Sequence, residues 1–445
     1  MEHNYNFTMS PEEQEKFLNI TRTSTFGDLM STIKQKLGQN QNNKTDSKEE
    51  SSSKFVLAQI DRKMMKETIS AFPIDLLLNS KEIYTFSKLQ LDFGATPSRI
   101  YDIRFVIPLL YHSVSPSLFV DCRDFIARRC LALTLTGLSS EDHQLRALCY
   151  KILERFYEHL LSALMIDKQL WINFIDLIRN SITAPNSRLR FIFTTFLVKI
   201  IDVLLHPDRD RMYELIKEFL AGKPRLRIDT IEIYDDLLLC SDVDCYNHNL
   251  RWLLSLIRDG IRSKNDLKVV FDLNVIPQAM CLYNSELRFD RANEMICSLF
   301  IRVASVEGGS IKLVTEFSFL PWFHQIILFH LNQDVQEIKN DPKSESLGDL
   351  TRSISSVVFT LIDTLLKKNS EIEHLTLPRL LELVNLCIVL HDLVIKSRNA
   401  SILEYYLTYV RKIAKVLRKN DKIPDQLARH VLELIKAKMP YLSVH

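Results

Sequence analysis

The chain has 445 residues, 46% hydrophobic and 25% charged, enough for two or three domains or one extended array. A formal net charge of only +2 excludes a globally basic nucleic-acid binder, so any basic site must be a local patch. Nine glycines, where ordinary usage gives roughly thirty, leave few positions for hairpin turns, bulges or phosphate-cradling loops, so helices joined by polar turns are expected.

In chain order, Ser10-Pro11-Glu12-Glu13 reads as a helix start. Serine caps, proline takes the first helical position and the acids complement the dipole. This N-terminal helical segment is expected over 1–37. The stretch 38–54 has no large apolar residue and reads as a disordered polar linker. Apolar pattern returns at Phe55, in short mixed segments interrupted by Pro73, Gly94 and Pro97. Tyr101 to Leu110 carries an apolar run closed by Pro108 and reads as a buried approach to the first core helix.

Ser140-Glu141-Asp142 then opens a helix with Leu145, Leu148, Cys149, Ile152, Leu153, Phe156 and Leu160 on one face. Further helices are expected at about 167–182, 187–205, 209–221, 229–240, 246–263, 265–284, 286–305 and 308–332. No Asn-Gly or Asp-Gly hairpin separates alternating apolar runs. The array thus occupies 55–331, a loop or linker 332–349, and C-terminal helices 350–445, at about 350–368, 376–397, 401–419 and 424–438. The fold class expected is all-α, an irregular α-solenoid or armadillo- or HEAT-like helical array without a clean sequence repeat.

Few residues suggest chemistry. The eight cysteines sit mostly in apolar helical patterns and read as small core residues of a reducing compartment. Cys240, Cys245 and His248 form the only cysteine-histidine cluster, but its spacing is loose and a second pair is missing, so no metal is expected. No phosphate-loop glycine pattern and no nucleophile elbow occurs, so neither a cofactor nor a catalytic residue is assigned, and no small-molecule substrate is expected. No apolar run approaches the roughly 20 residues needed to span a bilayer, so no membrane role is expected.

Partner surfaces remain. Arg411, Lys415, Arg418 and Lys422 fall within about 60° on a helical wheel, opposite Tyr406, Tyr409, Ile413, Val416 and Leu417. Such a stripe can neutralise RNA phosphates, and a solvated outer face explains it too. Lys223, Arg225 and Arg227 flank Pro224 in a loop, where they can dock on phosphate or simply decorate a turn. The string from Arg251 to Arg262 offers Trp252, Leu253, Leu256 and Ile257 as one apolar face. Arg251, Trp252, Arg258 and Arg262 are candidate interface anchors, with a core role for Trp252 as the alternative. Asp259-Gly260 either permits close helix approach or ends one helix and begins another.

Together these strings resemble a family. The segment Tyr101-Asp-Ile-Arg-Phe-Val-Ile-Pro-Leu-Leu, then Leu138-Ser-Ser-Glu-Asp and Leu145-Arg-Ala-Leu-Cys-Tyr, look like the start of the C-terminal domain of the nucleolar pre-ribosomal-associated protein 1 family. Ile178-Arg-Asn-Ser-Ile, Leu205-His-Pro with Met212-Tyr, Phe219-Leu and Arg251-Trp-Leu-Leu to Asp259-Gly-Ile-Arg continue it in order, over about 99–330. The resemblance implies a large helical-repeat scaffold of the nucleus and nucleolus. It implies work in early assembly of the large ribosomal subunit, with a DEAD-box helicase, other assembly factors, pre-ribosomal particles and pre-ribosomal RNA as partners. It brings no catalytic residues. A helical-repeat adaptor in nuclear transport or trafficking is the alternative.

Overall fold

The computed structural model describes residues 56–79, 100–208, 210–239, 243–289, 291–332, 347–367, 377–397 and scattered positions between 402 and 433. The expected segments over 1–37 and 38–54, most of the 332–349 linker and the helix at 424–438 lie outside the described residues, apart from single positions. Among the described residues every regular element is a helix, and none is long and apolar enough to cross a membrane. The chain divides into two compact units, Met1–Ile233 and Tyr234–His445.

The first unit contains α1 (Arg62–Ser70), α2 (Ile103–Ser113), α3 (Cys122–Ala127), α4 (Cys130–Gly137), α5 (His143–Ser162), α6 (Lys168–Ser181), α7 (Phe191–Leu204) and α8 (Tyr213–Ala221). Aspartates start four of them. Asp61, Asp102, Asp121 and Asp142 each accept a hydrogen bond from a backbone amide in the first turn, satisfying donors that have no intrahelical partner. Every residue of α4 is buried, and α1, α3, α5 and α7 pack around it. Its two threonines are tolerated there because Thr134 Oγ1 donates to the Cys130 carbonyl and Thr136 Oγ1 to that of Ala132, both at 2.9 Å. Outward from this centre, α5 packs on α6 and α7 on α8, and α6 also meets α8.

The second unit contains α9 (Tyr234–Leu238), α10 (Val243–Gly260), α11 (Lys264–Asp272), α12 (Val275–Leu282), α13 (Ala292–Ser305), α14 (Gly309–Thr315), α15 (Phe319–Asn332), α16 (Leu347–Lys367) and α17 (Leu377–Ser397). Here α13 packs along α16 and α15 along α17, and α16 meets α17. Phe300, Phe319, Trp322 and Phe323 form an aromatic knot, with Phe300 and Phe319 ring centres 4.8 Å apart.

Several expected elements differ. The run closed by Pro108 is itself helix α2, with the proline inside it; one intrahelical hydrogen bond is given up where apolar burial carries the segment. The single helix expected at 265–284 is two, broken where Asn274 takes a left-handed φ of 52°. The helix expected at 308–332 likewise breaks at Ser318, φ 49°. After each break a proline, Pro277 or Pro321, sits in the first turn of the next helix, where its missing N–H costs no bond. Gly260 is buried and ends α10; Ser263 then starts α11 with a reciprocal capping box to Asp266.

Candidate functional site

Helix α10 carries most of the candidate interface string. Its apolar positions divide as the 3.6-residue period requires: Leu253, Leu254, Leu256 and Ile257 are buried. Trp252 is only half-buried. Arg251 is exposed and holds its guanidinium 4.9 Å from the Phe289 ring centre, a cation–π contact. Arg258 pairs with its neighbour Asp259 at 2.8 Å, and the Arg262 amide donates to Asp266 Oδ2 at 3.2 Å. Arg251 and Arg258 lie on one side of α10, Trp252 is turned partly inward, and Arg262 lies beyond the helix end.

Beside α10 is an open apolar cleft of about 290 Å³, framed by α9, α10 and α12. Tyr234, Tyr246, Leu250, Leu254, Gln278 and Leu282 line it. The Tyr234 hydroxyl donates to Gln278 Oε1, and burial raises the pKa of that phenol. No histidine or carboxylate is in its lining, so the cleft offers apolar area and hydrogen-bonding groups without a poised acid–base pair.

Of the basic stripe, Arg411 is exposed; Lys415, Arg418 and Lys422 lie outside the described residues. The apolar side expected opposite it begins as the sequence suggests. Tyr406 is buried and donates to the Cys387 carbonyl at 2.6 Å, while Tyr409 stacks on Phe359 at 4.3 Å and donates to Asp363. Cys240 also lies outside the described residues, among which no three candidate metal ligands gather.

The loop after α8 is more ordered than a decorated turn requires. Leu226 N–H donates to the buried Ser181 hydroxyl at 2.7 Å, Asn180 Nδ2 to the Pro224 carbonyl, and Lys223 pairs with Glu232 at 2.8 Å. Arg225 and Arg227 point outward from it. Three further arginines to which the sequence pattern gives no clue, Arg146, Arg188 and Arg190, stand in the neighbouring turns. Arg190 donates to the Asp229 carbonyl at 2.6 Å, Arg188 to the Ser139 carbonyl at 3.0 Å and Arg146 to the Asn186 carbonyl at 3.3 Å. No local signal could have found this group, because its members are brought together only when α5 to α8 pack.

Residues 131–322 match the family model described as "Nucleolar pre-ribosomal-associated protein 1". The protein of that name from Homo sapiens is 27% identical over 276 residues, covering 61% of this chain and 12% of the relative. Its Mus musculus counterpart is 28% identical over 278 residues, with the same shares of each chain. The chain thus spans about an eighth of the length of these relatives. No solved structure matches it. The matched segment runs from α4 to α15, through the central packing of the first unit and into the aromatic knot of the second; it contains the resembling strings from Leu138 to Arg262, while the Tyr101–Leu110 string lies before it. Over residues 131–322 this chain is similar to the nucleolar pre-ribosomal-associated protein 1 family.

Proposed function

We propose that this chain is a non-catalytic helical scaffold of the nucleolus that binds pre-ribosomal particles during early assembly of the large ribosomal subunit and supports processing of its RNA. The observation that carries the reading is the family match over 131–322, whose relatives bear the name nucleolar and pre-ribosomal-associated. The geometry is consistent with it. Successive helix pairs bury their apolar faces on one another, which supports an irregular solenoid-like array whose product is surface area and not a reaction. The cleft beside α10 has no histidine or carboxylate in its lining, which favours binding over catalysis. On this reading Arg251, Trp252, Arg258 and Arg262 contribute to an assembly-factor interface, and Arg411, Lys415, Arg418 and Lys422 to RNA contact. The domain limits on this reading are 1–37, 38–54, 55–331, 332–349 and 350–445, with the array at 55–331 running through both compact units.

The test is expression of the tagged chain, gradient sedimentation and identification of what co-purifies. Nucleolar accumulation and large-subunit precursor RNA in the peak support the proposal. Transport receptors or coat proteins in their place favour the adaptor reading.

A further inference from the structure

The three loops at the α4–α5, α6–α7 and α8–α9 junctions are tied into one continuous edge of the first unit. Leu189 N–H donates to the Leu138 carbonyl at 3.0 Å and Asn186 Nδ2 to that of His143 at 3.0 Å, joining the first loop to the second. The Arg190–Asp229 and Leu226–Ser181 bonds join the second to the third. Six cations line this edge: Arg146, Arg188, Arg190, Lys223, Arg225 and Arg227.

Their charge is only partly balanced. Glu141 pairs with Arg188 at 3.2 Å, Glu232 with Lys223 at 2.8 Å, and Asp229 stands 3.6 Å from Arg227. Asp142 is buried as the cap of α5. Arg146 and Arg190 spend their hydrogen bonds on backbone carbonyls, which fix the guanidinium without cancelling its charge. Arg225 is exposed, with no polar partner among the described residues. Arg146, Arg190 and Arg225 therefore line this edge without a direct carboxylate ion pair among the described residues, although the buried Asp142 carboxylate acts on Arg146 through space. The nearness of Arg188 is among the influences that lower the pKa of Arg146, after burial.

We propose that this edge is an RNA-docking surface that takes the phosphodiester backbone. The inference deepens the proposed function and rests on it. Guanidinium groups match phosphate oxygens in paired hydrogen bonds, and cations set in ordered loops lose little freedom on binding. An acidic protein partner is less well served, because loops 182–190 and 222–232 present no exposed large apolar side chain to anchor a protein interface, and only Leu77, beside the first loop, is both apolar and exposed near the edge. Three of the unit's exposed apolar side chains, Leu161, Leu164 and Ile166, gather at the far end of α5, about 22 Å from Arg146 at 1.5 Å per helical residue.

The experiment is fluorescence anisotropy on the full chain. The probes are a labelled mixed-sequence RNA of about 20 nucleotides and a polyglutamate peptide of about equal charge. The edge variant carries Arg190→Glu, Arg225→Glu and Arg227→Glu. A control of equal charge change carries Arg123→Glu, Lys217→Glu and Lys312→Glu, all exposed and none of them a residue of the three edge loops. The edge variant is expected to lose at least about tenfold in RNA affinity, with the slope of log affinity against log salt falling by about 0.7 for each phosphate no longer neutralised. The control should change much less. Because Arg190 also secures a loop, Arg225→Glu alone is the second variant: it removes no internal bond and should still lower affinity and slope. Equal losses in edge and control variants overturn the proposal, as does a parent chain that binds no RNA. Polyglutamate bound as tightly as RNA and released by the same substitutions would make the edge an acidic-protein site instead. Nucleolar accumulation of the parent reads the wider proposal separately: if it persists while the edge variants bind RNA normally, the edge alone is refuted.

Discussion

Gly309 gives the sharpest stability test. It is the first residue of α14, preceded by Gly308 at φ 82°. A Cβ added to Gly309 would lie 1.8 Å from the Val303 carbonyl oxygen, 2.9 Å from its carbon and 3.3 Å from Leu267 Cδ1. The obstacle is backbone of α13, so no side-chain rotation relieves it; the start of α14 and the end of α13 must separate by more than about an ångström. That shift also strains the bond from Ser310 Oγ to the Ala304 carbonyl, 2.8 Å long and buried. Overpacking costs about 1–3 kcal/mol and a weakened hydrogen bond about 1 more, so Gly309→Ala should destabilise by about 3 kcal/mol. Helix propensity alone argues the opposite, favouring alanine by up to about 1 kcal/mol. Gly308→Ala separates the two kinds of cost. Nothing lies within 4 Å of its added Cβ, and only the left-handed φ penalises it, by about 1–2 kcal/mol. Urea unfolding followed by far-ultraviolet circular dichroism measures both. With an m-value of about 3 kcal/mol/M, Gly309→Ala should lower the midpoint by about 1 M. A Gly309→Ala protein as stable as the parent, or no less stable than Gly308→Ala, would refute the close-approach argument.

Other expectations follow from single contacts. Asp266 is fully buried and accepts from Ser263 N–H at 2.9 Å, Ser263 Oγ at 2.7 Å and Arg262 N–H at 3.2 Å. Asp266→Ala should cost about 2 kcal/mol, with Asp266→Asn recovering part of it; equal urea midpoints for alanine variant and parent would contradict this. Arg129 pairs with both carboxylate oxygens of Asp202 on α7, at 2.8 and 3.1 Å, so Arg129→Ala should cost about 1–2 kcal/mol, and Asp202→Ala should add little once Arg129 is gone. A double-mutant cycle with fully additive losses would rule that pairing out. Burial pushes the Cys122 and Cys387 thiols up to about 12, and raises Cys130 and Cys149 as well. The native state thus holds these protons while the unfolded chain releases them. Their contribution to stability is complete below the ordinary thiol value of 9.0 and lost as pH rises toward 12. A thiol reagent at about pH 8 should label exposed Cys281 in the native protein and reach Cys130, Cys149 and Cys297 only after unfolding.

Much of the helical order is written locally. An aspartate before an apolar period starts α2, α3 and α5, and the spacing of Leu145, Leu148, Ile152 and Phe156 names the buried face of α5 before any packing is known. Where local signals conflict, packing decided. Pro108 argues against a helix, yet α2 forms because burying Val106, Ile107 and Leu110 outweighs one lost bond. Asn274 carries no strong break signal in an apolar run, yet it turns the chain between α11 and α12.

The sequence by itself indicated most of the helices, their apolar faces and the family that 131–322 resembles, because periodicity and ordered motifs are properties of neighbouring residues. Only the tertiary structure decided that Arg146, Arg188 and Arg190 join Arg225 and Arg227 along one edge. It also decided that Gly309 must remain a glycine. The physical reason is range: a cap or an amphipathic face is set within a few residues, whereas charge density and close backbone approach depend on segments tens of residues apart meeting in space.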